Sequence, residues 1–224
     1  MAQRPIFSPD PSKCPYVRVV NVDFQWHPGF AKSQLQKSIE SLHDAAEKLG
    51  IAPILEISGK STSRLGVSLS AFNLKLITPN GSSISVECAY QGSKVFRNGG
   101  PFSDLYFVES SRAAKKDLRL TTSGTLIRFD YFGKVFPAEP KTAFYDWLYV
   151  KALWQNDPDL ARELARFGGF SDIVFNPKRS FNCQARAAAL FVALSQNQLL
   201  NQEILEDKDH YLELVDDTGF FPIR

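Results

Sequence analysis

Apolar residues recur along this chain in two rhythms, and the switch between them marks out the elements. From Tyr16 to Trp26 (YVRVVNVDFQW), β-branched and aromatic residues alternate with polar ones from Val20 through Phe24, which predicts a strand stopped by His27-Pro28-Gly29. Residues 31 to 49 then set Leu35, Ile39, Leu42, Ala46 and Leu49 three or four positions apart, with Gly50 beyond. That spacing predicts an amphipathic helix with a glycine stop. Pro53 to Ile57 reads as a short apolar strand, and the prolines at 5, 9 and 11 make the start of the chain an extended arm.

Further along, residues 69 to 77 (LSAFNLKLI) read as a strand closed by Pro79-Asn80-Gly81. Ile84 to Phe96 reads as a short helix, and Gly99-Gly100-Pro101 breaks the chain. Residues 104 to 109 and 125 to 136 read as strands, the latter turning at Gly133. Residues 142 to 155 predict a helix with Phe144, Trp147, Leu148 and Leu153 inward. Asp157-Pro158 is the N-cap and first position of a helix running to Phe167. The strongest helical pattern is CQARAAALFVALSQNQLL, residues 183 to 200, which should be largely buried. No internal repeat or long linker interrupts the pattern. The expected fold is therefore α+β: one helix-rich domain with short strands. Residues 1–54 form an N-terminal arm and β-α-β elaboration packed on a core of residues 55–224.

Composition narrows the function classes. Lysine plus arginine is 26 and aspartate plus glutamate 24, a net charge of +2, so bulk charge alone does not hold nucleic acid. No apolar run approaches the roughly 20 residues that span a bilayer, and the first residues lack the apolar region of a secretory signal. Three cysteines (Cys14, Cys88, Cys183) without a C-x-x-C fit a reducing compartment, and a cytoplasmic protein without membrane contact is expected.

The three histidines (His27, His43, His210) lie far apart, so no metal site is expected. SGKSTSRLG contains GKS but lacks the upstream glycine of a phosphate-binding P-loop. One segment is more specific. Glu87, Gln91 and Lys94 fall at i, i+4 and i+7, which places a carboxylate, an amide and an amine on one helical face. A solvated surface helix carries the same spacing. Here, however, Val86, Ala89, Tyr90 and Val95 flank the stripe, and a narrow polar stripe on an apolar helix faces a pocket.

Leu69, Ser70 and Phe72, followed by a glycine turn and then Glu87, Gln91 and Lys94, resemble the signature of the NADAR family: a strand L-S-N-F, then a helix opening E-H-x-x-Q-x-x-K. Ala71 and Cys88 depart from it. Arg186 and Gln196-Asn197 match the family's C-terminal helix, whereas its terminal D-x-x-W-G is absent. The resemblance covers roughly residues 55 to 215 with an insertion near 98–140. Its texture (GSKVF-x-x-GGP-x-x-DLY, PKTAFYDWLY, FNPKRSFNCQAR) is most similar to the NADAR antitoxins of DarT-type toxin–antitoxin pairs.

The resemblance implies a glycohydrolase that removes ADP-ribose from guanine bases of DNA. Its functional partner would be a DNA ADP-ribosyltransferase toxin; no cofactor is implied, ADP-ribose being substrate or product. Two alternatives stay open: an N-glycosidase of a small phosphorylated metabolite, and a non-catalytic antitoxin that binds the toxin or ADP-ribose. Glu87 is then the catalytic carboxylate beside a cationic sugar. Lys94 is either a donor to the departing base or a Schiff-base nucleophile. The diphosphate would rest on the free amides of the helix N-terminus. Candidate substrate contacts are Lys60, Ser61, Ser70, Phe72, Asn73, Tyr90, Gln91, Gly99, Gly100, Asp104, Tyr145, Asp146, Asn182, Gln184 and Arg186. Two basic sets are candidates for a DNA backbone: Arg112, Lys115, Lys116 and Arg119, and Lys178 with Arg179. A solvated charged loop is the plainer reading of the first.

Overall fold

The amino-terminal arm is a strand. The computed structural model describes residues 2–29, 31–157, 159–178 and 180–215. In it β1 (Ala2–Pro9) runs antiparallel to β2 (Val17–Phe24), with Ala2 opposite Phe24 and Pro9 opposite Val17. Prolines hid this strand from the pattern because they cannot donate to a ladder. They are tolerated because the other edge of β1 is paired only at Phe7. Helix α1 (Lys32–Glu47) follows, burying Ile39, Leu42 and Ala46 in a small core with Ile6, Val22 and Phe24. Then comes β3 (Ile54–Glu56).

The segment read as one strand over 69–77 divides. Helix α2 (Arg64–Ser68) runs into a turn, in which Asn73 and Leu74 donate to the Ser70 carbonyl, and only β4 (Lys75–Ile77) is extended. The segment read as a helix over 84–96 divides too: β5 (Ser83–Ser85), α3 (Val86–Gly92) and β6 (Lys94–Phe96) succeed one another. In place of a strand at 104–109 there is a 3-10 turn, Ser103–Phe107. Its Leu105 joins Cys88 and Ala114 of α4 (Ser111–Lys115) in a second small core. After α5 (Arg119–Thr122) the hairpin β7 (Leu126–Tyr131) and β8 (Lys134–Pro137) extends β6 into a three-stranded sheet.

Helix α6 (Ala143–Asn156) is buried from Ala143 to Leu153. The next helix, α7 (Leu160–Leu164), is shorter than its pattern and starts after Asp159, whose side chain makes no cap bond, while the Asp157 carboxylate accepts from the Asp159 amide. Pro158 lies outside the described residues. Strand β9 (Gly169–Ser171) then inserts between β1 and β3, antiparallel to the first and parallel to the second. The amino-terminal unit and the core thus share one sheet, ordered β2-β1-β9-β3. Helix α8 (Gln184–Gln196) is buried from Gln184 to Leu194, as its pattern predicts. Two short helices, α9 (Gln202–Glu206) and α10 (Lys208–Leu214), close the described chain.

Rings dominate the main core. Phe144 stacks on Phe129 at 4.5 Å between centroids, and Phe136 and Trp147 complete the cluster. The architecture is α+β, and no helix among the described residues is long and apolar enough to cross a membrane.

Candidate functional site

Helix α3 starts where Ser85 accepts a bond from the Cys88 amide at 3.1 Å, and it lasts only seven residues. Lys94 is therefore not on the helix. It opens β6 after the C-cap Ser93, yet it still joins the stripe. Gln91 Nε2 donates to Glu87 Oε1 at 2.9 Å, and Lys94 Nζ donates to Gln91 Oε1 at 2.7 Å. The three side chains form one hydrogen-bonded chain, with the amide bridging carboxylate and amine. Glu87 and Gln91 are only 4% and 5% exposed, while Lys94 is half-buried.

The amine is tuned by its surroundings. Desolvation lowers the Lys94 pKa to about 8; the neighbouring Glu87 opposes that shift and the Lys115 ammonium adds to it. Lys94 also lies 4.5 Å above the ring of Tyr90. Tyr90 is in turn held by Asn182, which donates to its hydroxyl at 2.6 Å, and by the edge of Tyr145 at 5.3 Å. Burial, together with Glu87, keeps that phenol well above the ordinary tyrosine range. Lys115 comes from α4, in the insertion; its ammonium sits 3.6 Å from Glu87 Oε1 and 5.2 Å from the centroid of Phe72. Sequence reading placed Lys115 only in a basic set; three-dimensional proximity to Glu87 left no mark on the local pattern.

The expected phosphate seat at the start of α3 is closed. The Val86 amide donates to Leu74 O at 3.0 Å and the Glu87 amide to Ala71 O at 2.9 Å, while Ser85 takes that of Cys88. These bonds tie α3 to the Leu69–Leu74 turn and leave its first amides engaged. Ser111 adds a second tie, bonding Ser85 Oγ at 2.8 Å and donating to Phe72 O at 2.9 Å.

The remaining candidates divide by location. Tyr90 lies directly against Lys94, Tyr145 and Asn182 pack on Tyr90, and Phe72 meets the Glu87–Gln91–Lys94 chain through Lys115. Gly100 presses against it from behind, since a Cβ there would come 2.2 Å from the Lys94 carbonyl oxygen; Gly99 pairs with Phe96. Asp146 and Arg186 form a buried ion pair between α6 and α8. Asp104 is exposed and bonded to Arg119 at 2.6 Å. Ser61 and Ser70 are buried; the Ser61 hydroxyl accepts from the Ser63 amide, and half-buried Lys60 donates its amide to Ser58. Asn73 is exposed and donates to Val67 O. Lys178 is exposed; Arg179 lies outside the described residues. A surface depression of about 440 Å³ is lined by Phe72, Ser85, Cys88 and Ser111 but not by Glu87 or Lys94.

Gln184 supports the site from the other side. Its Oε1 accepts from the Ala71 amide at 2.8 Å, and its Nε2 donates to Ile57 O at 2.6 Å and to Asp172 Oδ2 at 3.0 Å. Ala71 is the residue whose carbonyl receives the Glu87 amide, so Gln184 braces the turn beneath α3. Behind it stands a carboxylate cluster the sequence reading missed. Glu56 accepts from Ser58, Ser171 and the Ile173 amide, and Ser171 is bonded to His43 at 2.8 Å. Desolvation raises the Glu56 pKa; desolvation and Glu56 together raise that of Asp172 to about 7. A lone glutamate inside the apolar run ILEIS was the available signal.

The match to a NADAR family model makes this single α+β domain a NADAR protein. More narrowly, the chain belongs to the family of DarT1-associated NADAR antitoxins, whose family model matches residues 2–220. No curated protein matches the sequence.

Proposed function

We propose that this protein is a glycohydrolase that removes ADP-ribose from guanine bases of DNA, reversing the modification made by its partner ADP-ribosyltransferase toxin. The observation that carries this reading is the Glu87–Gln91–Lys94 chain: a buried carboxylate fixed at one hydrogen-bonded amide's distance from an amine whose pKa is near 8. A surface without chemistry has no use for either. Family membership supports the pairing with a toxin.

The bond to break joins the ribose anomeric carbon to the exocyclic amine of guanine. As it lengthens, positive charge builds on the sugar, and a carboxylate beside it lowers the barrier. Glu87 takes that place and accepts a proton from the water whose oxygen bonds the anomeric carbon. The departing guanine nitrogen needs a proton, and protonated Lys94 gives it. In the other route the ribose ring opens to an imine between C1 and the guanine nitrogen. Neutral Lys94 adds to C1, the guanine amine leaves with the proton Lys94 gives up, and water hydrolyses the Lys94 imine to release the C1 aldehyde of ADP-ribose. Tyr90 and Tyr145, packed edge to face, form an apolar wall beside Lys94. Lys115, exposed and 3.6 Å from Glu87, is a cation beside the carboxylate that a phosphate can reach, since the first α3 amides are engaged.

The test is incubation of the protein with a guanine-ADP-ribosylated oligonucleotide, with release of ADP-ribose and unmodified strand expected. Absence of release from a folded protein that still binds its toxin would replace this reading with that of a binding antitoxin. Borohydride trapping of an adduct on Lys94 separates the two routes.

A further inference from the structure

One lysine-on-phenylalanine pair meets the acid–amide–amine chain, and a second is joined to its tyrosine wall through neighbouring residues. Lys115 lies 5.2 Å over Phe72, and Lys141 lies 4.2 Å over Phe181. The first pair adjoins Glu87 through the 3.6 Å contact of Lys115. The second adjoins the tyrosine wall by two independent routes. Phe181 precedes Asn182, whose amide grips the Tyr90 hydroxyl. Lys141 lies four residues before Tyr145, whose ring meets Tyr90 edge-on. Phe181 is 45% exposed, in a chain whose other rings mostly fill the core, and Lys178 stands exposed nearby in sequence.

We propose that these two lysine-on-phenylalanine pairs form a track for single-stranded DNA across the mouth of the site, holding the nucleotides on either side of the modified guanine. The proposal rests on the glycohydrolase reading and extends it from the modified base to its neighbours. Each pair offers a ring face for a base and an ammonium for a phosphate, the combination used by proteins that grip single strands without reading sequence. Bases inside a duplex cannot stack on side chains, so the track selects a strand already opened or one whose target base is turned out. With a net charge of only +2, such local pairs are what hold the backbone, and the grip is salt-sensitive.

Phe181 and Lys141 are the residues to test, because neither touches Glu87 or Lys94. Two substrates are compared: a short single-stranded oligonucleotide carrying one ADP-ribosylated guanine, and the ADP-ribosylated nucleoside alone. Phe181→Ala is expected to lower kcat/KM on the oligonucleotide about ten-fold and to leave the nucleoside unchanged, while Phe181→Trp restores the oligonucleotide rate. Lys141→Ala is expected to weaken anisotropy-detected binding of an unmodified strand and to reduce the slope of log affinity against log salt by about 0.7, with Lys141→Arg retaining both. Equal losses on both substrates, or none on either, overturn the proposal. So does a Phe181→Ala protein that loses toxin binding but not strand binding. If the wild type releases ADP-ribose from neither substrate, the glycohydrolase reading fails and strand binding alone judges the track: retained by the wild type and weakened by Phe181→Ala supports it, indifference overturns it.

Discussion

Glu87→Gln tests the group on which the proposed chemistry turns. The substitution keeps the size and an acceptor for Gln91, and it removes the charge that meets a cationic sugar. Hydrolysis is expected to fall by about 10² to 10⁴ in single-turnover assays, the range for losing an acid–base group, while ADP-ribose binding changes far less. Lys94 makes a second prediction, whose sign carries the information. Its pKa of about 8 lies well below that of a free lysine. If the protonated amine serves the leaving base, the rate falls as pH rises through about 8; if the neutral amine attacks, the rate climbs through the same point. A pH–rate profile with no inflection there, and none lost in Lys94→Ala, would remove Lys94 from both roles.

Short elements hold this site, and their close approaches matter more than their length. Helix α2 passes so near β3 that a Cβ at Gly66 would lie 2.0 Å from the Glu56 carbonyl oxygen and 2.5 Å from Ser61 Oγ. The first of these is backbone and cannot swing aside. Gly66→Ala is therefore expected to cost about 1–3 kcal/mol in denaturant unfolding and to lower turnover, since α2 leads directly into the turn bonded to α3. Stability equal to wild type would mean that α2 is free to shift. The turn that follows α2 explains why 69–77 misled as a strand. Its alternation is real, but the Ser70 carbonyl gathers the amides of Asn73 and Leu74, a local competition that periodicity does not register.

At the scale of the molecule, the inserted strand β9 brings Asp172 against Glu56 and joins the amino-terminal sheet to the α8 brace. Asp172 is raised to about 7, so across roughly pH 4 to 7 the folded protein holds a proton that the unfolded chain has lost. Stability from this group is present at low pH and is lost as pH rises through about 7. His43 acts with the opposite sign: desolvation lowers it to about 4, so the unfolded chain binds the proton first and stability falls as pH drops. Asp172→Asn is expected to flatten the fall in stability across that window in denaturant midpoints, leaving the opposing contributions of Glu56 and His43. A fall with pH that persists in the variant would assign the effect to Glu56 instead.

Long, strongly patterned elements were legible without coordinates: α1 from its three- and four-residue steps, α8 from its alanine- and leucine-rich run, and β2 from its alternation. The core of the candidate site was legible too, because Glu87, Gln91 and Lys94 are close in sequence and their chemistry is written in their spacing. Their arrangement was not. Lys94 reaches Gln91 from a strand, and Lys115 reaches Glu87 from another helix. The α3 amides are spent on a turn more than ten residues earlier in the chain. Glu56, Asp172 and Gln184 converge from three distant segments because β9 threads between β1 and β3. Local sequence sets what each segment prefers to become; which polar groups meet, and which are already satisfied, follows from contacts between segments that only the packed chain creates.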